Sequence, residues 1–357
     1  CYEDAISSAR QYARAHLNRG NILQIQGHLR EALDAYKVAL DLQPDYLGAY
    51  VNIGNTHMRL AEPTDAIIAY QKALALNAKD VPATAALAAA QETAIRYAEA
   101  VDTYRRCLAL DSKHVAAQLG LARSLRALEQ PEAALEALRK RPSREMATPE
   151  ACFLEGEILS DLGRHDSAIA SFEQTLKIDP LHFHAQTSLG DTQRKLGLHA
   201  KAQNSYQRAI QLQPNLPLLR LKLASTLQAL GQHNEALLAV ERAADLAPES
   251  GAIQFNAANL LDELGKPMQA VAHYQRAIAI APDPQAYNNL GNVLRRLGRS
   301  DDALASFSSA LQIDSNCAEA HCNVGLEMRA RGLYAQALQS LQTACELNPS
   351  SAVFQCN

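Results

Sequence analysis

The sequence predicts an all-α solenoid built from about ten tandem helix-turn-helix repeats. Three observations carry this prediction: a period of 34 residues, alanine at one fixed place of every period, and helical spacing of the apolar residues within a period. A period of this length is typical of solenoid proteins, in which each repeat packs only against its neighbours.

Rows of 34 residues align from residue 13 to residue 351, and one row is a residue short. The rows, which we call repeats one to ten, begin at Ala13, Leu47, Val81, Val115, Pro149, Phe183, Pro217, Gly251, Pro284 and Ala318. The twentieth place is alanine in every repeat. We expect residues 1–12 to end a preceding repeat and residues 352–357 to begin a further, truncated one, which indicates a segment of a longer protein.

Small and large residues oppose each other within a repeat. The eighth place is always Gly or Ala and the twenty-fourth is usually a ring, as in the pair Gly190 and Tyr206. Small residues let paired helices approach closely, and the ring fills the remaining space. Glycine at the fifteenth place of seven repeats predicts a left-handed cap that ends the first helix. Prolines at the close of the repeats predict the end of the second helix.

Repeat four departs from this pattern. Residues 138–141 run into Pro142, where the other repeats continue their second helix. Because proline cannot continue a helix, we expect that helix to stop early and a kink or bulged loop to follow at residues 142–149.

The pattern closely resembles the tetratricopeptide repeat family, from the small residue at the eighth place to the proline at the thirty-second. Tryptophan at the fourth place is missing, and residues such as Tyr50 and His321 stand there. The resemblance implies a right-handed superhelix whose concave face is lined by the first helices. It also implies a protein-protein interaction scaffold that binds an extended peptide or a partner protein in that groove.

Asparagines recur at the sixth and ninth places of the first helices. They are Asn18, Asn21, Asn52, Asn55, Asn256, Asn259, Asn289, Asn292 and Asn323. A primary amide both donates and accepts hydrogen bonds, so this ladder could clamp the backbone of an extended peptide whatever its side chains. The alternative is that asparagine is frequent at these places in the family and faces water.

Charges differ along the same helices. Arg295, Arg296 and Arg329 lie in repeats nine and ten, whereas repeat five carries Glu150, Glu157 and Asp161. These patches could select a partner of complementary charge. The alternative is that they are ordinary solvated helix faces.

A ladder of asparagines over many gapless repeats is also similar to the repeat arm of O-linked N-acetylglucosamine transferases, which presents protein substrates to a catalytic domain. That resemblance implies an alternative function, a substrate-recognition arm whose catalytic domain lies outside this segment. The lysine that the family's chaperone-tail binders carry at the fifth place is absent from every repeat. A second alternative is an envelope assembly or secretion lipoprotein, with Cys1 as the lipidated residue.

Composition and motifs exclude other classes. With 34 basic and 38 acidic residues and a net charge of −4, the chain has no electrostatic footprint for nucleic acid. No apolar run is long enough for a membrane span, and the common phosphate, zinc and acyl-transfer motifs are absent. We therefore predict no catalytic residue, cofactor or metal, and interpret His182 and His184 as solvated loop histidines. The lack of Cys-x-x-Cys pairs and glycosylation sequons favours the cytoplasm, with a periplasmic lipoprotein as the alternative.

Overall fold

The structure, a computed structural model, describes residues 2–139 and 148–348, with side chains described from residue 12 onward. Within these residues the chain forms twenty α-helices and no strand, which confirms the all-α prediction. The helices are α1 (Tyr2–Ile25), α2 (Leu29–Leu42), α3 (Leu47–Arg59), α4 (Pro63–Leu76), α5 (Val81–Thr93), α6 (Tyr97–Leu110), α7 (Val115–Ala127), α8 (Pro131–Arg139), α9 (Pro149–Asp161), α10 (His165–Ile178), α11 (Phe183–Lys195), α12 (His199–Leu212), α13 (Pro217–Ala229), α14 (His233–Leu246), α15 (Gly251–Glu263), α16 (Pro267–Ile280), α17 (Pro284–Arg296), α18 (Ser300–Ile313), α19 (Ala318–Ala330) and α20 (Tyr334–Leu347). None of them is both long and apolar enough to cross a membrane.

The odd-numbered helices are the first helices of the repeats. From α3 to α19 each of them begins at the first residue of a repeat, as aligned from the sequence. Capping explains this, because Asp80 and Asp283 accept hydrogen bonds from the backbone N–H three residues on, at 2.7 and 2.9 Å. Repeat one differs, since α1 runs through Ala13 without a break. The boundary predicted there is therefore not marked by a helix end.

The paired helices of a repeat meet through the small and large residues that the sequence singled out. A Cβ added at Gly190 would lie only 2.7 Å from the ring atom Cε1 of Tyr206. Gly156 and Phe172 are in the same relation. The alanines of the twentieth place are all buried, with at most 3% of their surface exposed. In the repeats that carry a ring at the twenty-fourth place, that ring therefore packs closely against the opposite helix.

The helices group into two compact units, Cys1–Pro180 and Leu181–Asn357. In the first unit, contacts join each first helix to the next, from α1 through α3, α5 and α7 to α9. In the second unit, contacts join α13 to α15, α15 to α17 and α17 to α19. These contacts create a continuous surface of first helices within each unit, which we call the first-helix face.

The second residue after each first helix is in the left-handed conformation. All seven glycines of the fifteenth place have φ between 70° and 86°, as predicted. Repeats two, three and four lack this glycine, and Ala61, Ile95 and Glu129 adopt φ of 58°, 62° and 58° in its place. The turn is therefore imposed by the packing of the two helices, and residues with a Cβ are forced into it at a cost.

Residues 140–147 lie outside the described residues. The kink or loop predicted after Pro142 in repeat four therefore stays a prediction. The structure describes nine residues in α8, Pro131–Arg139, against 14 in the second helices of the other repeats.

Replacing Ile95 with glycine should stabilise the protein by about 0.5–1 kcal/mol. The change relieves a β-branched residue of a left-handed backbone conformation, and Ile95 is 72% exposed, so little burial is lost. The midpoint of urea unfolding measures the effect. Gly197→Ala is the matched control: nothing would contact its Cβ and φ is 73°, so it should destabilise by about 1 kcal/mol. A lower midpoint for Ile95→Gly would show that the turn at Ile95 is not strained.

Candidate functional site

The asparagine of the ninth place is bonded to the buried ring of its own repeat. In each case the tyrosine hydroxyl donates to the amide oxygen. The pairs are Tyr36 with Asn21 at 2.9 Å, Tyr70 with Asn55 at 2.7 Å, and Tyr274 with Asn259 at 2.5 Å. A tyrosine whose ring is buried needs a partner for its hydroxyl, and the ninth place supplies it. These asparagines are thus part of the packing of the repeat.

The asparagine of the sixth place links one repeat to the next. Asn52 Nδ2 donates to Asn21 Oδ1 at 2.8 Å, and Asn289 Nδ2 donates to Asn259 Oδ1 at 3.1 Å. Each ninth-place oxygen in these two junctions therefore accepts two hydrogen bonds, one from its own tyrosine and one from the following repeat. At these two junctions the asparagines of the predicted ladder bond to each other, and their binding of a peptide stays a prediction.

Ionic residues continue this chain where asparagine is missing. Glu92 accepts the Tyr104 hydroxyl at 2.7 Å and two bonds from Arg123 of the next repeat at 2.7 and 3.1 Å. In repeat six the carboxylate is Asp191, which accepts the hydroxyl of Tyr206 and the ammonium of Lys222, both at 2.7 Å. These bridges were not predicted from the sequence. Their signal is a carboxylate at the ninth or twelfth place followed by a cation at the sixth or ninth place of the next repeat.

Burial raises the pKa of the ring hydroxyls. It raises the pKa of Tyr70 from 10.0 to about 12, and burial also raises the pKa values of Tyr36 and Tyr274. For Tyr104 and Tyr206 the pKa is raised first by burial and then by the carboxylates that accept their hydroxyl protons. All five hydroxyls therefore act as neutral donors near neutral pH.

Arg295 lies inside the protein surface rather than free on it. Its guanidinium donates to Asn292 at 3.0 Å and to Asn323 at 3.2 Å, and its Nε lies 3.9 Å from the buried Glu327 carboxylate. It also lies over the ring of Phe307, 5.8 Å from the centroid. Phe307 has no hydroxyl, so the arginine provides the donor that tyrosine provides elsewhere. Arg295 is thus bonded within the protein and partly exposed, and its role in binding a partner stays a prediction.

Asn323 is likewise buried, with 9% of its surface exposed. Its Nδ2 donates to Asn288 at 2.8 Å while its oxygen accepts from Arg295. Asn323 thus joins α17 to α19, and its role in peptide binding stays a prediction. The corresponding asparagine of repeat eight, Asn256, is exposed and forms no hydrogen bond within the described chain. Asn18 has the same exposed position in repeat one.

The positive patch expected in repeats nine and ten is divided among different partners. Arg296 is exposed and forms an ion pair with Asp262 of the preceding repeat. Arg329 is exposed in the last turn of α19. Because Arg295 is engaged inside and Arg296 is paired, these three residues do not present a single unbalanced charge.

A cleft on the first-helix face of the second unit brings four of the predicted residues together. Its volume is about 360 Å³. We call it the amide cleft, and it is lined by Asn259, Asp262, Glu263, Tyr274, Asn289, Asn292 and Arg296. Among the described residues, the amide nitrogens of Asn259 and Asn292 donate to no other group. The cleft therefore presents unused N–H donors beside carboxylate acceptors.

The two histidines interpreted from the sequence as loop residues lie at the start of α11. His182 is the N-cap of α11, where its Nδ1 accepts from the backbone N–H of Ala185 at 3.0 Å, and His184 lies within α11. Elsewhere in the described chain, ligand atoms of His57, Glu62 and Asp65 lie within 4.8 Å of one another. Hydrogen bonds from His57 and Arg30 lower the pKa of Glu62, so a guanidinium already balances that carboxylate.

Family models described as tetratricopeptide repeats match the chain over most of its length. One such model matches residues 153–217, 221–283, 255–318 and 288–352. Three others, described as TPR repeat, Tetratricopeptide repeat and Tetratrico peptide repeat, match residues 20–60, 47–80 and 81–178. No significant match is found among curated proteins.

Solved structures of repeat proteins are similar to the chain. The crystal structure of MamA has 25% sequence identity and a TM-score of 0.41, and the match covers 46% of this chain and 97% of that one. The APC/C hetero-tetramer Cut9-Hcn1 has 15% identity and a TM-score of 0.46, with 96% and 75% covered. YrrB, described as a TPR protein with an unusual peptide-binding site, has 20% identity and a TM-score of 0.41, with 52% and 96% covered.

Tyr70→Phe should make the protein less sensitive to alkali. Because the pKa of Tyr70 is raised from 10.0 to about 12 in the folded state, its contribution to stability is present below pH 10.0 and is lost as pH rises toward 12. Without the hydroxyl, urea midpoints should fall less steeply over that interval, although the variant starts about 1 kcal/mol less stable for want of the bond to Asn55. Tyr12→Phe, at a tyrosine that is 66% exposed, is the control and should fall like the unmodified protein. Parallel curves for all three proteins would contradict the role assigned to the buried hydroxyl.

Proposed function

Because this chain belongs to the tetratricopeptide repeat family, we propose that it is a protein-protein interaction scaffold whose first-helix face binds an extended peptide or an extended segment of a partner protein. Repeats of this family bind proteins or peptides. The proposal assigns that binding to the amide side chains of the first helices.

The amide cleft is the observation that carries this proposal. Asn256 and Asn259 lie three residues apart on α15, and Asn289 and Asn292 lie three residues apart on α17, so each pair shares one side of its helix. The amide oxygens of Asn259 and Asn292 accept bonds from within the protein, while their N–H groups do not donate to it. Main-chain carbonyls of an extended peptide are acceptors that suit such donors.

Because the free N–H groups would bind only the peptide backbone, we expect the first-helix face to bind partners of different sequence. Contacts to the peptide backbone are the same for every side chain, so peptides of unrelated sequence can use them. Selectivity then has to come from other groups on the face. The carboxylates of Asp262 and Glu263 and the guanidinium of Arg296 line the same cleft.

The double variant Asn256→Ala/Asn292→Ala should weaken the binding of unrelated extended peptides by a similar factor, about tenfold. Each substitution removes hydrogen bonds that contribute about 0.5–1.5 kcal/mol net, and 1.4 kcal/mol corresponds to a factor of ten. Stability should change little, because the hydroxyl of Tyr274 keeps its bond to Asn259, and Arg295, which loses Asn292, keeps its bond to Asn323. Fluorescence anisotropy with labelled peptides and thermal unfolding measure the two effects.

Asn204→Ala/Asn234→Ala is the matched control. Both residues are exposed asparagines of the same unit, but they lie on the second helices α12 and α14. This variant should bind peptides like the unmodified protein. If the two double variants bind equally well, the binding surface is not the amide cleft.

A second candidate function uses the same face, as the substrate-recognition arm of an O-linked N-acetylglucosamine transferase-like enzyme whose catalytic domain lies outside residues 1–357. The amide bridges at both Asn21–Asn52 and Asn259–Asn289 favour it, because they extend the ladder over two separate units. Sugar transfer to a bound peptide by the complete gene product would test it. Cys1 lies outside the described residues, so the lipoprotein hypothesis stays a prediction from the sequence.

A further inference from the structure

A second cleft lies on the first-helix face of the first unit, between α5, α7 and α9. Its volume is 440 Å³, and we call it the ionic cleft. Its polar lining consists of Glu92, Tyr97, Arg123, Arg126, Glu157 and Asp161. These residues stand mostly at the ninth, twelfth and thirteenth places of their repeats, which also line the amide cleft. The ionic cleft and the amide cleft therefore use equivalent places of their repeats in different units. Charged side chains make up most of the polar lining of the ionic cleft.

The ion pairs of the ionic cleft leave one negative charge unbalanced. Arg123 is paired with Glu92 at 2.7 Å. Arg126 is shared between two carboxylates, Glu157 at 2.9 Å and Asp161 at 2.5 Å. The lining thus holds three carboxylates and two guanidiniums, a net charge of 2 − 3 = −1.

The excess charge is located on α9. Glu157 and Asp161 are four residues apart, where two carboxylates face the same side of a helix and repel each other. Arg126 relieves part of this repulsion, and a second cation would relieve the rest. Their side chains are 28% and 42% exposed, so a ligand can reach the carboxylates without displacing the arginine.

The cleft also offers apolar surface beside these charges. The ring of Tyr97 and the buried side chain of Leu154 are part of the lining. Lysine and arginine place their alkyl stems on surfaces of this kind while the charged head stays near solvent and acidic partners. Charge and surface together fit a long cationic side chain better than a small inorganic ion.

We propose that the ionic cleft binds a lysine or arginine side chain of the partner, next to Glu157 and Asp161. This inference rests on the proposed function, since it takes the partner to be an extended segment lying on the first-helix face. It adds a chemical requirement that backbone contacts lack, namely a cationic residue where the partner crosses the first unit.

The test compares labelled extended peptides of equal length that differ only at a central pair of positions, occupied by Lys, Gln or Glu. At low salt the Lys peptide should bind about three- to tenfold more tightly than the Gln peptide, as expected for partly exposed ion pairs, and the Glu peptide should bind most weakly. Added salt should reduce the preference for Lys. In the variant Glu157→Gln/Asp161→Asn the lining keeps two guanidiniums and one carboxylate, a net charge of 2 − 1 = +1, so the Lys peptide should bind no more tightly than the Gln peptide.

Two further variants guard against misfolding and general charge effects. Asp161→Asn alone keeps the pair of Glu157 with Arg126, and it should lose part of the preference. Asp34→Asn/Asp102→Asn changes the net charge of the same unit by the same amount, but both residues are exposed on the second helices α2 and α6. That control should keep the full preference for Lys.

The outcomes separate this inference from the proposed function. Equal binding of the Lys and Gln peptides by the unmodified protein overturns the ionic cleft alone, provided that Asn256→Ala/Asn292→Ala still weakens both. A preference for Lys that survives in Glu157→Gln/Asp161→Asn also overturns the ionic cleft, because the cationic side chain must then bind elsewhere on the protein. Failure of every peptide to bind the unmodified protein overturns the proposed function and this inference together.

Discussion

The contact between a small residue at the eighth place and a ring at the twenty-fourth is the constraint on which the rest of the structure depends. The ring packs so closely on the opposite helix that a Cβ at Gly190 would lie 2.7 Å from Tyr206. Burying a tyrosine ring in this way fixes its hydroxyl at the edge of the first-helix face, where the proton needs an acceptor. The ninth place supplies an oxygen, and that oxygen can accept a second bond from the next repeat. A packing requirement thus produces the polar chain along the face.

The kind of acceptor then decides what the face can offer a partner. An asparagine such as Asn259 uses its oxygen internally and keeps its N–H donors for the outside. A carboxylate such as Glu92 has no donor to offer and brings charge, which Arg123 balances. An amide and a carboxylate both accept the hydrogen bond of a buried tyrosine hydroxyl. They differ in what they then offer a partner, since the amide offers N–H donors and the carboxylate offers charge.

The sequence was sufficient for the fold because its determinants are local and periodic. The places of alanine, glycine and proline predicted the helix starts, the left-handed caps and the helix pairing, all of which depend on backbone and volume. The burial and hydrogen-bond partner of each polar side chain were less predictable from the sequence. Asn256 and Asn323 stand at the same place of their repeats, yet only Asn323 is buried. The difference comes from Arg295, which crosses from α17 to α19 and takes the role of the hydroxyl that Phe307 lacks. Such compensation between repeats leaves no periodic signal.

The same independence of neighbours explains how the face can vary without altering the fold. In a solenoid each repeat contacts only adjacent repeats, so exchanging the acceptor at one ninth place affects one tyrosine and one junction. Asp191 with Lys222 and Asn259 with Asn289 occupy such junctions in the same unit, on the same backbone pattern. Each junction can therefore change from amide to ion pair by a pair of substitutions, one in each repeat. Partner selectivity can be set repeat by repeat, while the ring and the small residue opposite it keep the helices in place.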